Sequence, residues 1–415
     1  MKCRNCGASL ELVLIDLGSA PLSNAYLTAI TLRRPEKWFP LRVLVCESCW
    51  LVQAEAYSRA AEIFNEDYAY FSSFSDAWMT HAKKYVDDVT AEFKLDHSSF
   101  VVEVASNDGY LLKNFVNMNI PCLGVEPTAS TAAAARDKGV TTLERFFGEE
   151  LANEIIQSNG NADLLVANNV LAHVPEPHDF LNGVRLLLTD GGAATFEFPH
   201  LMNLIEQNQF DTIYHEHFAY LSFTATVDLM ARSGLNVFRV QELPTHGGSL
   251  RVFAQPAEKG SREVESSVDD LLQREDDAKM LSPDFYRGFQ DNANQVKNRF
   301  LRFLLDAAAS GQTVAGYGAA AKGNTLLNFA GVGTDLIQFV VDRNPAKQGK
   351  FLPGSRIPIV DESKLAEARP DYIVIFPWNL KAEVTEQLSY ARSWGAKFVI
   401  AIPELEITLV QVTNV

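Results

Sequence analysis

The chain is predicted to be an α/β protein in which a small metal-knuckle domain precedes two Rossmann-like halves. Three observations lead there. Four cysteines fall in two pairs with two-residue spacing, Cys3 with Cys6 and Cys46 with Cys49. Between Phe100 and Phe198, short apolar runs alternate with amphipathic stretches, the pattern of parallel strands joined by helices. The same alternation restarts at Thr313 after a long helical stretch.

A length of 415 residues exceeds one ordinary core, so two or three domains are expected. The reading divides the chain at 1–58, 59–258 and 259–415. An apolar content of 47% with 21% charged residues is that of a water-soluble globular protein. The net charge of -16 argues against a nucleic-acid or anionic-membrane partner. No long apolar run and no basic leader followed by an apolar stretch is present, so a cytoplasmic protein without a membrane span is expected. A monomer is the expected state.

Two residues between thiolates let both sulfurs meet one tetrahedral Zn²⁺. Cys3, Cys6, Cys46 and Cys49 would fill its shell, which makes the metal structural. Leu41–Val45 reads as a strand ending at the second knuckle. Residues 54–64 and 76–93 read as helices, joined by the aromatic and serine-rich stretch from Tyr68 to Ser75. Tyr70 and Ser73 there offer apolar area and hydrogen-bond donors to a ligand.

Phe100–Val104 is a buried strand, Ala105 to Gly109 a tight turn, and Tyr110 to Val116 the start of a helix. Such a unit aims helix N–H groups at a ligand, with close backbone approach at Gly109. The second strand, Cys122–Val125, ends in Glu126, placed to accept both hydroxyls of a ribose. Glu103 adds a carboxylate. One glycine leaves little room for a pyrophosphate, so an adenosyl group without phosphate fits better, which favours S-adenosylmethionine over NAD. Asp163–Ala167 and Gly191–Phe198 are the next strands. Ligands sit at the carboxyl ends of such strands, where Asn107, Asp108, Glu126, Asn168, Asn169 and Glu197 fall.

Tyr214-His215-Glu216-His217 follows, a phenol, two imidazoles and a carboxylate before an apolar run. Crowded polar groups beside apolar walls shift pKa values and transfer protons. Histidines two apart share a face only on an extended segment. Leu235–Val240 and Ser249–Phe253 form a closing antiparallel pair, turning at Thr245-His246-Gly247-Gly248. Residues 257–277 read as an exposed helix or connector, and 284–309 as one long amphipathic helix. In the last half, Gly316-x-Gly318-x-x-Ala321 and Asp342 meet the nicotinamide fingerprint. Leu336–Val341, Tyr372–Phe376 and Lys397–Ile402 supply its strands. Lys322 and Thr325 are alternatively placed to meet the diphosphate of another nucleotide.

The order of the two knuckles, Tyr70–Ser75, Glu103–Gly109, Tyr214–His217 and Gly316–Gly323 resembles the nucleotide-sugar C-methyltransferases that make branched deoxysugars. The resemblance covers essentially the whole chain. It implies a zinc-binding domain, a class I methyltransferase domain that binds S-adenosylmethionine, and a Rossmann-like domain that helps hold the sugar nucleotide. It further implies methyl transfer to C-3 of a nucleotide-diphosphate 4-keto-6-deoxysugar. Donor contacts are expected from Glu103, Ala105, Asn107, Asp108, Gly109, Glu126, Pro127 and Asn168. Ala105 departs from the glycine many methyltransferases carry there. His217 is implied as the base, with Glu216 orienting it or binding the sugar and Tyr214 donating to the developing oxyanion. Substrate contacts are expected from Tyr70, Ser73, Asn169, His173, His215, Gly318, Lys322 and Thr325. An O- or N-methyltransferase is the alternative needing no enolate, and an NAD-dependent sugar-nucleotide dehydrogenase or epimerase rests on the Gly316 loop.

Overall fold

Residues 1–57 and 71–408 are described by the computed structural model. Tyr70 and most of the helix expected over 54–64 lie outside them; Ala54 itself ends a short strand, Val52–Ala54. Three sheets organise the chain. The first joins Leu12–Ala20, Phe39–Val45 and Val52–Ala54 to the distant strand Ala219–Tyr220. That last pairing sets Val52 opposite Tyr220 and Gln53 opposite Ala219. The N-terminal domain is therefore completed by the two residues that lie just beyond the tetrad.

The second sheet has seven strands. From one edge they run Leu235–Leu243, Ser249–Pro256, Leu188–Pro199, Ala162–Asn168, Val101–Val104, Cys122–Val125 and Thr142–Leu143. The last five are parallel, and Ser249–Pro256 runs against its neighbours. Strand order reverses beside Val101–Val104, so a crevice opens at the carboxyl ends there. The four residues of Val101–Val104 are all buried, as expected of a strand covered on both faces. The helix Asp76–Phe93 covers one face. The Ser75 hydroxyl caps it by accepting from Trp78 N, and Lys94 ends it in the left-handed region at φ +54.

The third sheet runs Ile359–Val360, Val340–Val341, Val314–Tyr317, Tyr372–Ile375, Lys397–Ile400 and Glu406–Thr408, parallel except for the last strand. Both halves are thus doubly wound as expected. One hydrophobic core unites Val43, Phe210, Ile213, Tyr220, Phe289, Leu326 and Val340. It spans the first and third sheets, and the segment before the tetrad sits inside it.

Several expectations need correction. The tetrad is not extended: His217 N donates to Tyr214 O at 3.0 Å, which closes a turn. The stretch 257–277 is not merely exposed. Its helix, Ser266–Asp277, buries Val268 and Leu271 against the core of the seven-stranded sheet, although the sequence division places it in the last domain. The long helix begins at Phe289 rather than Asp284, because Gly288 at φ +86 separates it from the short turn Pro283–Tyr286. Only Val340–Val341 of the expected strand Leu336–Val341 pairs as a strand.

Candidate active site

The metal knuckles meet as their spacing requires. The sulfurs of Cys3, Cys6, Cys46 and Cys49 all lie within 4.8 Å of one another. Cys3 Sγ is 3.5 Å from Cys49 Sγ, and Cys6 Sγ is 3.5 Å from Cys46 Sγ. Zn–S bonds of about 2.3 Å in a tetrahedron set sulfurs roughly 3.8 Å apart, so the four fit one zinc. Gln53 Nε2 and Asn5 N donate toward Cys3 Sγ at 3.3 and 3.4 Å, which favours a thiolate there.

The expected donor residues converge on the crevice of the seven-stranded sheet. Ala105, Asn107 and Gly109 have φ of +56, +50 and +72. This region accounts for glycine being common at the first of these positions; Ala105 follows the same path with strain of about 1–2 kcal/mol. A Cβ at Gly109 would meet Val140 and Ala135 at 3.1 and 3.2 Å. Glu126 accepts from Asn107 N at 3.0 Å and Thr128 N at 2.9 Å, so its carboxylate folds the turn around itself. Lys138 pairs with Asp108 at 2.9 Å and reaches the Ser73 hydroxyl at 2.7 Å.

Glu103 Oε2, Ser106 Oγ, Asp108 Oδ1, Thr128 Oγ1 and Asn168 Oδ1 are buried without a partner among the described residues. Unpaired buried groups are costly, and here they gather at one strand-end crevice. Burial pushes the Glu103 carboxyl well above the usual range, helped by the charges of Asp108 and Glu126. Burial also raises Glu126, against the hydrogen bonds from Thr128 and Asn107. A ligand carrying positive charge and hydroxyls relieves both the repulsion and the missing hydrogen bonds. S-adenosylmethionine, with its ammonium, sulfonium and ribose, has that chemistry. Glu126→Ala is expected to weaken binding of the donor roughly ten- to a hundredfold, since a hydrogen bond to a charged group contributes about 1.5–3 kcal/mol. Titration calorimetry with the donor would show it; unchanged affinity would remove Glu126 from the site.

The tetrad lies beside this crevice, backed by the N-terminal domain. His217 Nδ1 lies 2.9 Å from Thr212 O. A carbonyl only accepts, so Nδ1 carries the proton and Nε2 keeps its lone pair. Tyr214, His173 and Tyr220 surround this ring at centroid distances of 4.1, 4.6 and 5.8 Å. Burial holds His217 well below the ordinary imidazole value, reinforced by the neighbouring His173, Lys322 and His246. His173 Nδ1 donates to Glu216 O at 2.9 Å, and burial lowers its pKa to about 4. The orienting partner of His217 Nδ1 is thus the Thr212 carbonyl rather than the Glu216 carboxylate, which accepts from Asn24 Nδ2 at 2.6 Å. His215 turns away, its Nε2 3.1 Å from Pro40 O and 3.3 Å from Phe39 O. The turn, rather than an extended strand, is what sends the two imidazoles in different directions. Asn169 bends at φ +53 and binds Glu197 O through its own N–H at 2.6 Å.

Across from the tetrad stands the last domain. Lys322 Nζ donates to Asn379 Oδ1 at 2.9 Å and lies 4.2 Å from the Trp378 ring centroid. Trp378 Nε1 donates to Asp211 Oδ2 at 2.8 Å. Burial lowers Lys322 to about 8, against the charge of Asp211. Burial raises Asp211 to about 7, against Lys322. Thr325 does not face this cleft as expected; its hydroxyl donates to Ile213 O at 2.9 Å and ties the helix to the tetrad segment. Gly318 has no room for a side chain, since a Cβ would meet Pro377 at 2.6 Å. Asp342, the acid of the nicotinamide fingerprint, instead holds its own loop by accepting from Ala319 N at 2.8 Å. Tyr26 and Lys347 both donate to Ala319 O, at 2.6 and 2.9 Å.

Reasoning from the sequence placed Glu197 at a strand end and His246 in a turn, but missed the cluster they form with His81, Trp78 and Arg251. Glu197, fully buried, lies 2.9 Å from His81 Nε2, accepts from Arg251 at 2.8 Å and from Thr245 Oγ1 at 3.0 Å. Burial alone would raise Glu197, but the hydrogen bond with His81 and the charge of Arg251 hold it below the usual range. Trp78 stacks on His81 at 4.9 Å and meets His246 at 5.1 Å. His246 stands at φ +54, a strained conformation for a non-glycine residue. Its place between Thr245 and two glycines at a strand end was the available signal.

Burial and Lys322 lower His246 to about 4. His173, His217 and His246 are therefore neutral when folded and take up protons near pH 6.5 when unfolded. Their contribution to stability is present above pH 6.5 and is lost as pH falls toward about 4. The raised carboxyls of Glu103, Glu126 and Asp211 act in the opposite sense over the same window, so the rings are read directly: their NMR signals should stay those of neutral imidazole from pH 7 to 5, and protonated rings there would contradict the assignment.

Domain families match in the same order. Residues 3–64 match a zinc binding domain, 78–240 a methyltransferase domain and 244–403 the C-methyltransferase C-terminal domain. Fold and site thus define a methyltransferase with a four-cysteine zinc site, using S-adenosylmethionine. C-methyltransferase NovU from Streptomyces niveus is 36% identical over 403 residues, covering 97% of this chain and 96% of that relative. The chain belongs to the C-methyltransferase family. Among solved structures, magnesium protoporphyrin IX methyltransferase from Synechocystis PCC 6803 with bound SAH matches 42% of this chain and 82% of its own, at 15% identity and TM-score 0.34. An S-adenosylmethionine-dependent methyltransferase from Clostridium acetobutylicum matches 46% and 94%, at 12% identity and TM-score 0.36. No helix of the described residues is long and apolar enough to cross a membrane.

Proposed function

We propose that the chain methylates C-3 of a nucleotide-diphosphate 4-keto-6-deoxysugar through an enolate, with His217 as the general base. The observation that carries this reading is the tautomer of His217. Its Nδ1–H is committed to Thr212 O, and burial with nearby positive groups keeps the ring neutral, so Nε2 is an available base. Carbon is a poor nucleophile until it loses a proton, so methyl transfer to this carbon needs such a base to form the enolate, and transfer to a hydroxyl or amine needs no enolate.

A ketone at C-4 acidifies the C-3 hydrogen. Nε2 takes that proton, and the C–H electron pair moves into the enolate, with charge on the C-4 oxygen. Tyr214, whose ring centroid is 4.1 Å from that of His217, is the donor assigned to that oxygen. The bound donor supplies an electrophilic methyl group and leaves as a neutral thioether. Glu103, Asp108, Glu126 and Asn168 would hold the donor, since their unpaired or crowded oxygens face its crevice. Lys322 and Trp378, on the last domain, flank the opposite side and suit a diphosphate and a base or sugar face. His173 and Asn169 line the strand end between them. Product mass from a panel of nucleotide 4-keto sugars with S-adenosylmethionine tests the reading. A gain of one methyl with loss of the C-3 proton supports it; methylation that leaves C-3 hydrogen in place rejects it.

A further inference from the structure

We propose that Arg4, inside the first metal knuckle, is a positioning residue for the catalytic base. The proposal rests on the reading of His217 as that base. Arg4 Nη1 donates to Phe218 O at 3.1 Å and to Ala54 O at 3.0 Å, and its guanidinium lies 5.4 Å from the Phe218 ring centroid. Phe218 directly follows His217. Its carbonyl also accepts from Ala54 N at 3.1 Å, and its N–H donates to Ala172 O at 2.7 Å, beside His173. Both sides of this residue are thus clamped.

Arg4 is itself held from the metal side. Its backbone N–H donates to Gln53 Oε1 at 3.0 Å, and Gln53 Nε2 donates to Cys3 Sγ at 3.3 Å. Gln53 is fully buried and pairs with Ala219 in the sheet. One chain of contacts therefore runs from a metal thiolate, through Gln53 and Arg4, to the carbonyl of the residue after the base. One guanidinium nitrogen, Nη1, bridges both carbonyls and lies 3.5 Å from Gln53 Oε1, which fixes Ala54 and Phe218 relative to each other. Releasing it loosens the Phe218–Ala219 peptide, one residue beyond the base, and a displacement of about 1 Å in a reacting group can lower a rate by roughly a hundredfold.

The test compares Arg4→Ala and Arg4→Lys with wild type, all as full-length zinc-loaded protein. Zinc content, both substrate affinities, kcat and C-3 hydrogen exchange in D₂O are measured. Arg4→Ala is expected to keep its zinc and to bind both substrates within about twofold. Its kcat and its exchange rate should fall together by roughly ten- to a hundredfold. Arg4→Lys, whose shorter side chain carries one ammonium able to bridge the same two carbonyls, should recover part of both. The acid limb of the Arg4→Ala pH profile should move up toward ordinary imidazole as the ring loosens. Wild-type kcat in Arg4→Ala overturns the proposal. Loss of zinc in proportion to activity, in both variants, also overturns it, since the arginine would then only build the knuckle. Running His217→Ala in the same exchange assay separates the two readings. Normal exchange in that variant sinks the base assignment, whereas normal exchange in Arg4→Ala alone sinks only the positioning role.

Discussion

Replacing His217 by alanine is expected to slow methyl transfer by about two to four powers of ten while leaving both substrates bound, because a positioned general base contributes about that much. The figure corresponds to roughly 2.7–5.4 kcal/mol in the barrier. The variant should also fail to exchange the C-3 hydrogen of the sugar nucleotide in D₂O with a non-reactive donor analogue present. In wild type, the rate should drop as the ring gains a proton. Because His217 is held well below the ordinary imidazole value of 6.5, the acid limb should lie below pH 6.5, and activity should be level from there through neutrality. His215→Ala should be milder for turnover, since that ring faces Pro40 O and not the cleft. Wild-type turnover by His217→Ala would move the base to His173, whose Nδ1 is likewise committed to a carbonyl, that of Glu216.

The parts of this site that are local in sequence were legible in it. Two-residue cysteine spacing specifies a chelate by itself, and the strand–turn–helix from Val101 places Asn107, Asp108 and Gly109 at a strand end without further information. The directions of His215 and Glu216 were not legible, because they are decided by partners far away in the chain. Asn24 takes Glu216, Phe39 and Pro40 take His215, and Thr325 anchors Ile213. Each of those contacts joins segments more than a hundred residues apart, and none leaves a periodicity. The Gly316 loop shows the limit of spacing. Its spacing satisfied a nucleotide fingerprint, but Asp342, Tyr26 and Lys347 all bind the loop itself. Spacing reports the backbone path there, while the ligand depends on which side chains remain free. Asp211 and Trp378 escaped notice for the same reason as the tetrad contacts, since a buried Asp–Trp–Lys cluster assembled from two domains has no sequence signature.

Removing the zinc should do more damage than any change at the base. Elemental analysis of purified protein is expected to give about one zinc per chain. Structural zinc in small domains contributes about 10–16 kcal/mol of folding free energy, against a total stability of about 5–15 kcal/mol for a domain. The first sheet has few other resources, since its third strand is Val52–Ala54 and its fourth is Ala219–Tyr220. Cys46 is fully buried with its Sγ 3.5 Å from Cys6 Sγ, so its loss opens the metal shell from inside the domain. Cys46→Ser should therefore release the zinc and lower the thermal midpoint far more than His217→Ala does. The loss should spread beyond the knuckles, because Val43, Tyr220, Phe289 and Val340 share one core. Unfolding of the first sheet removes cover from the third and withdraws the strand that follows the base. Chelation at the wild-type knuckle should reproduce this, and zinc added back to the refolding chain should restore it. A metal-free wild-type protein that keeps its thermal midpoint would end the structural-zinc account.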